Sequence, residues 1–473
     1  MITRTKIVAT LGPATSEIGV IRGLAEAGAD VFRINFSHGD NEGRKALLDN
    51  IRAVEADMQQ PLCIMGDLCG PKIRVREITG GSVLLGEGQE IVIQRADILG
   101  TARRISTTLE ELAQQVEAGQ TMLLDDGKIR LEIIEVTSGD EVRCRVTQGG
   151  MLAGSKGVNL PGTQLKISAI TEKDRTDITW IATQDFDYVA LSFVQVADDV
   201  IELRQLLDAA GCGARIVAKI ERPQAIENIE AIIDVADAVM VARGDLGVEM
   251  DLPSVPVAQK RIARLCRLKG KPCIIATQML ESMTALPTPT RAEVSDVANA
   301  VQDLADAVML SGETAVGEHP SAAVKMMDRI AAEMQLYHDG KHELGPVKGL
   351  EAPETLASLA RAVHAIADAQ EIAAIAAFTI TGSTARVLSK QRPQCPILGI
   401  SPELAVVRQM CLYYGVQSMQ AGLVEHTTDV LELAAKFAVD RGVAEPGDNI
   451  IVISGRPLGK TGVTNTLVVH TIE

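Results

Sequence analysis

Aromatic residues are scarce in this 473-residue chain: six Phe, four Tyr and one Trp make up 2% of it, although 46% is apolar. A core without rings must be built from Val, Ile, Leu and Ala, as in packed parallel sheets with helices, and this argues against an all-β or disordered chain. Positive charge is also short, with 46 Lys and Arg against 62 Asp and Glu and a formal net charge of −16. Nucleic acids and anionic membranes require a positive field, so general binding to either is not expected, and a phosphorylated ligand would need a locally basic pocket. The eight cysteines, from Cys63 to Cys411, show neither paired zinc spacing nor a C-x-x-C motif, so buried reduced thiols are expected. No run approaches the ~18 apolar residues of a membrane span. The opening MITRTKIVATLGPAT enters a strand-like run without the apolar stretch of a signal peptide, which predicts a cytoplasmic protein.

What the chain does have is rhythm. TKIVAT, VFRINF, LCIMGD, DYVALSF, ARIVAKIE, AVMVARGD, CIIATQ and AVMLSG are eight short strand-like runs, and amphipathic stretches separate most of them. Two of those stretches, SEIGVIRGLAEAG and VPVAQKRIARLCRLKG, close on glycine as helices do. Eight strand–helix units predict an α/β chain whose parallel sheet closes into a (β/α)8 TIM barrel. Between LCIMGD and DYVALSF the rhythm breaks, because IRVREI, SVLLGEG, EIVIQ, TMLLDDGKIRLEIIEV and DEVRCRVT alternate with period two. An inserted all-β domain resembling a small β-barrel is therefore expected over residues 70–168, dividing the barrel domain into residues 1–69 and 169–340. It leaves from the C-terminal end of the third strand, where barrels place their chemistry, so a lid is its natural role. HDGKHELGPVKGLEAPE reads as a linker. IAAIAAFTI, CPILGIS, NIIVIS and TLVVHTI then predict four strands of a C-terminal α/β domain over residues 350–473.

Polar residues recur at the C-terminal ends of the barrel strands, the rim that reads as catalytic. Strand two ends in Arg33, Asn35, Ser37 and His38; Asp67, Lys72 and Arg74 lie at or after strand three; Lys219 and Glu221 end strand five, Gly244 and Asp245 strand six, and Thr277 strand seven. Any one of them reads equally well as a solvated loop residue, but their convergence on one rim does not. Glu221 and Asp245 suit a hard cation such as Mg²⁺, which keeps waters and takes further oxygens from substrate. Arg33, Arg74 and Lys219 supply the cationic half of an anion site.

MVARGDLGVE, ATQMLESM, PTRAEVSDVANAV and MLSGETAVGEHP resemble signature segments of the pyruvate kinase family, most closely its bacterial members, and the likeness extends through RINFSHG, SKGVNLPG and TNTLVVHTI. The resemblance implies phosphoryl transfer from phosphoenolpyruvate to ADP, giving pyruvate and ATP. It implies that Glu221 and Asp245 hold Mg²⁺ or Mn²⁺, that Arg33 and Lys219 lie along the transferring group, and that Thr277, Asp245 and the Gly244 amide contact substrate. Lys219 would also stabilise the enolate, and Thr277 would sit near the carbon that is protonated, through a water relay. Asn35, Phe36, Ser37, His38, Arg74 and Lys156 would meet the nucleotide, and the chain would form a homotetramer.

Within that resemblance the chain departs at one segment. Potassium-dependent members carry Glu in G-P-E-I-R, whereas this chain has Lys72 in GPKIR, and Leu68 and Cys69 stand where Thr and Lys are usual. An ammonium there can supply the charge that K⁺ otherwise brings, so activity without K⁺ is expected; the other reading has Lys72 in solvent and K⁺ held by Asn35, Ser37, Asp67 and the Leu68 carbonyl. In TGSTARVLSKQRP, residues Thr381, Gly382, Ser383 and Thr384 follow a strand and precede a helix, a geometry that can cradle phosphate. The resemblance implies a sugar-phosphate or nucleotide effector there; a plain turn with a helix cap is the alternative. SGRPLGKTG mimics a P-loop but puts only three residues between Gly455 and Gly459, and TNTLVVHTI follows Lys460 and Thr461 where a helix is required, so an effector-site or interface loop fits better. Two competing readings of the whole chain are a Mg²⁺-dependent aldolase or lyase barrel and a non-enzymatic sugar-phosphate sensor.

Overall fold

The computed structural model of the chain describes residues 3–138, 140–163, 165, 167–341, 347, 349–424 and 426–473. Eight parallel strands close into one barrel: Lys6–Leu11, Val31–Asn35, Cys63–Asp67, Tyr188–Leu191, Arg215–Ile220, Ala238–Ala242, Cys273–Ala276 and Ala307–Leu310. They follow each other in sequence order around the ring, and the eighth pairs with the first, Lys6 beside Ala307. We number them barrel strands one to eight. Nearly every residue in them is buried, because helices cover the outside and side chains fill the interior, which is why they read as unbroken apolar runs.

The helix stops read from glycine hold. Helix Ile18–Glu26 is followed by Gly28 at φ +112°, and helix Val255–Leu268 by Gly270 at φ +66°. Helix Arg291–Gln302 starts from a capping box, in which Thr290 Oγ1 accepts from the Glu293 amide and the Glu293 carboxylate accepts from the Thr290 amide at 2.7 Å.

Over residues 70–168, the described part of the insertion forms strands and one short helix, Leu112–Gln115, and helix Glu172–Ile181 returns the chain to the barrel. A six-stranded sheet runs in the order Val158–Asn159, Thr121–Leu124, Ile129–Ser138, Glu141–Gln148, Glu90–Gln94, Arg104–Ser106, and Ser82–Leu85 pairs with Gly150–Ala153 as a separate ribbon. Its core, including Ile91, Ile93, Leu131, Cys144 and Val146, is its own.

The linker is shorter than expected. Helix Pro320–Lys341 runs into the segment and helix Glu354–Ala369 follows it; residues 342–346 and 348 of the expected linker lie outside the described residues. The C-terminal sheet has five strands, in the order Val416–Gln420, Ile397–Ser401, Ala374–Phe378, Asn449–Ser454, Thr466–Thr471, the last antiparallel. The sequence reading missed Val416–Gln420. This is a half-buried edge strand, and Gln417, Ser418 and Gln420 leave it no apolar run to be recognised by. The barrel interior (Val8, Met65, Val217, Ile274) and the C-terminal domain (Val387, Val407, Met410, Ile451) belong to one continuous apolar core. Among the described residues no helix is long and apolar enough to cross a membrane.

Candidate active site

The rim residues of strands two, three and five meet in a buried polar network. Arg33 Nε donates to Asp67 Oδ2 at 2.6 Å, and its Nη1 to Thr10 Oγ1 at 3.0 Å. The Lys219 ammonium faces three oxygens: Ser192 Oγ at 2.7 Å, Glu221 Oε1 at 2.9 Å and Asp67 Oδ1 at 3.2 Å. All six residues are buried. Burial would lower the basicity of Lys219, but Asp67 and Glu221 outweigh it and hold the side chain protonated well above the usual lysine range. Burial likewise works to raise the Asp67 carboxyl, and the Lys219 and Arg33 cations win, leaving it below its ordinary value.

Glu221 goes the other way. Burial raises its carboxyl, Lys219 opposes, and Asp245 close by adds a second negative charge that raises it further; the net shift is upward. Its Oε2 is fixed by the Phe193 amide at 2.7 Å. Asp245 is half-buried and its partner is Lys72, with Nζ 3.3 Å from Oδ1. Two carboxylates that repel each other, each neutralised by a lysine, suit a divalent cation. Mg²⁺ takes one or two carboxylates and finds its other oxygens in water and substrate.

Gly244 and Asp245 lie one step beyond where the sequence reading set them, in the first turn of a short helix, Arg243–Glu249, that starts directly after strand six. The Gly244 amide donates to Thr277 Oγ1 at 2.7 Å, and Thr277 Oγ1 donates to the Ala276 carbonyl at 2.6 Å. A Cβ on residue 244 would stand 3.3 Å from that hydroxyl, so glycine is what allows the approach. Thr277 adopts φ +69°, an unusual conformation for a β-branched residue, held by Arg243, whose Nη2 grips the Thr277 carbonyl at 2.8 Å.

The residues expected to meet a nucleotide divide. Arg74 and Lys156 are neighbours at the base of the insertion: Arg74 Nη1 donates to the Ser155 carbonyl at 2.9 Å, and the Val75 amide to the Lys156 carbonyl at 2.8 Å. Lys156 is paired with Asp125 at 2.9 Å. The Lys72 stem lies 3.6 Å from the position a Cβ on Gly157 would take, so this basic group borders on Asp245. Asn35, Ser37 and His38 are partly or fully exposed, whereas the Phe36 ring is wholly buried against Trp180 and Phe186 with Arg44 stacked 4.4 Å from its centre. Phe36 therefore packs the wall and offers no side chain to a ligand.

The expected K⁺ donors have internal partners. Asn35 Oδ1 accepts from the Ser37 amide at 3.0 Å, Asp67 is bound by Arg33 and Lys219, and the Leu68 carbonyl accepts from Ser192 Oγ at 2.7 Å. Ser192 itself was missed by the sequence reading. It directly follows strand four, the one strand between two and seven for which no rim residue had been named, and that gap was the available signal.

Far from this rim, Thr381, Ser383 and Thr384 line a cavity in the C-terminal domain together with Leu458, Lys460 and Thr464. Gly382, at φ +78°, turns the chain into helix Ser383–Lys390. The P-loop mimic thus forms one wall of the same cavity.

A family model described as pyruvate kinase, barrel domain, matches residues 2–324, and one described as pyruvate kinase, alpha/beta domain, matches residues 357–470. The chain is 42% identical over 475 residues to a pyruvate kinase of Geobacillus stearothermophilus, covering 99% of this chain and 80% of that one. It is 43% identical over 464 residues to a pyruvate kinase of Methylorubrum extorquens, covering 98% and 96%. A crystal structure of a pyruvate kinase from Cryptosporidium parvum superposes with a TM-score of 0.92 at 33% identity, covering 100% of this chain and 96% of that one.

Proposed function

The chain belongs to the pyruvate kinase family and is a phosphotransferase of glycolysis, and from that premise we propose how its own residues carry phosphoenolpyruvate and ADP to pyruvate and ATP. The lyase and sensor readings fall with the family assignment. Glu221 and Asp245 would hold Mg²⁺ or Mn²⁺, which when bound would supply positive charge to an anionic substrate. Lys219, fixed by three oxygens, and Arg33, fixed by Asp67, present cations to the transferring phosphoryl group without needing to reorganise. As the phosphoryl group leaves, charge builds on the enolate oxygen and Lys219 stabilises it. The Gly244 amide and Thr277 orient the substrate; because the Thr277 hydroxyl donates its own proton to the Ala276 carbonyl, it can only accept from a water beside the enolate carbon, and the proton delivered to that carbon is the water's, not the threonine's. Arg74 and Lys156, with Asn35, Ser37 and His38, take the nucleotide phosphates.

The observation that carries this reading is the Lys219 ammonium held between Glu221 and Asp67 at the rim. We assign residues 1–69 and 169–340 to the catalytic barrel, 70–168 to the lid and 350–473 to a regulatory domain whose Thr381–Thr384 loop takes a phosphorylated effector. A homotetramer working in the cytoplasm completes the proposal.

The satisfied donors around Asn35, Asp67 and Leu68, with Lys72 beside Asp245, favour activity without K⁺. Steady-state rates measured with and without K⁺ at fixed ionic strength are expected to agree within about twofold, because Lys72 already supplies the charge. A large loss without K⁺ would remove this part of the proposal.

A further inference from the structure

We propose that Arg215 is a positioning residue, a strut that joins the Thr381–Thr384 loop to the strand carrying Lys219 and Glu221. The inference rests on the effector reading of that loop and adds the route by which the loop reaches the chemistry.

Arg215 opens barrel strand five, at the end opposite the rim. Its guanidinium leaves the barrel: Nη2 donates to the Thr381 carbonyl at 2.5 Å and Nη1 to the Tyr413 hydroxyl. Both acceptors belong to the C-terminal domain, and Tyr413 is buried. Two acceptors on one planar fork fix a direction as well as a distance, which a single lysine contact cannot do. The carbonyl that Arg215 holds is the peptide preceding Gly382. A Cβ at residue 382 would lie 3.5 Å from Arg215 Nη2 and 3.3 to 3.4 Å from Val406 and Met410, so the turn is packed tightly around the strut. Thr381, Ser383 and Thr384 on the same turn face the cavity. An anion that draws this turn inward therefore displaces the group that Arg215 is bonded to.

The strand is suited to pass that displacement on. At about 3.3 Å per residue, Arg215 and Lys219 are roughly 13 Å apart along one extended segment. Strands four and six pair with it on either side, and close packing leaves it no slack. The other end of helix Ser383–Lys390 makes a parallel contact. Buried Lys390 donates to Asp306 Oδ2 at 2.6 Å, and the same oxygen accepts from the Cys273 amide at 2.8 Å. Cys273 begins strand seven, which leads to Thr277. The helix and the turn that precedes it are thus linked to the bases of strands five and seven, the first through Arg215 and the second through Asp306, across a core that barrel and C-terminal domain share.

The test measures phosphoenolpyruvate saturation of the wild-type enzyme, Arg215→Met and Arg215→Lys with glucose 6-phosphate, fructose 1,6-bisphosphate, ribose 5-phosphate and AMP, together with binding of each probe by equilibrium dialysis. We expect Arg215→Met to bind the active probe and keep kcat at saturating substrate, while the shift in half-saturation falls from the roughly 5- to 150-fold usual for allosteric coupling to below about twofold. Arg215→Lys, which keeps the charge and one donor contact, should retain part of the shift. A full-sized shift in Arg215→Met overturns the strut and leaves the effector site standing. Loss of probe binding in both variants would make Arg215 part of the cavity wall, which also overturns it. If no probe shifts the wild-type curve, the effector reading itself falls and the strut with it.

Discussion

Lys219 is the residue on which the chemistry turns, and its surroundings set what its loss should do. Its ammonium helps neutralise Asp67 and Glu221 in a buried network, so removing it takes away the charge that meets the enolate, leaves Glu221 without its cation and leaves Asp67 to Arg33 alone. Lys219→Met is expected to lower kcat by about 10²- to 10³-fold, the usual effect of removing one preorganised group from a developing oxyanion, in an assay of ADP-dependent pyruvate release coupled to NADH oxidation. Asp187 shows the opposite use of burial. It is fully enclosed at the base of strand four, accepting from the Ile64 amide at 2.7 Å and from Arg52 at 2.9 Å, yet burial prevails and its carboxyl is raised from 3.8 to about 6. The folded protein binds this proton more tightly than the unfolded chain does, so stability declines as pH rises from near 4 to near 6. Relative to wild type, Asp187→Asn should gain up to about 3 kcal/mol between pH 4 and pH 7 in urea denaturation, at 1.36 kcal/mol per pK unit. A difference independent of pH would show that Arg52 has already offset the burial.

At the scale of elements, the chain enters the insertion through a glycine. Gly70 has φ +66°, and its amide donates to Asp174 Oδ1 at 3.2 Å, on the helix by which the chain returns to the barrel. A Cβ there would lie 2.9 Å from both the Phe193 ring and Ser192 Cβ. Gly70→Ala should therefore cost about 1–2 kcal/mol for the left-handed conformation alone. It should also push on Ser192, which holds Lys219, and a displacement of about 1 Å there can lower kcat up to 10²-fold. Thermal unfolding and the pyruvate assay together check this; a variant as stable and active as wild type would show that the joint is slack.

Much of the whole molecule was legible because the barrel writes itself locally: eight apolar runs, glycine stops after helices, and polar residues wherever a strand reaches the rim. The residues left unread depend on partners distant in sequence. Ser192 is one hydroxyl after an apolar strand, and only its contacts with Lys219 and Leu68 reveal its place. Arg215 and Lys390 look like ordinary surface cations until the C-terminal domain packs beneath the barrel. Strand Val416–Gln420 lacks an apolar run because one side of it meets water. The assembled molecule brings two carboxylates, Glu221 and Asp245, close together where a divalent cation is needed, and Glu221 is the buried one. The most direct measurement is Mn²⁺ binding, followed by water proton relaxation, alongside Mg²⁺-dependent pyruvate formation for wild type and Glu221→Gln. We expect the variant to bind the ion at least about 10-fold more weakly and to lose turnover in step, since a charged ligand is replaced by a neutral one. Unchanged Mn²⁺ affinity with unchanged Mg²⁺ dependence would contradict the assignment of Glu221 and Asp245 as the metal-holding pair.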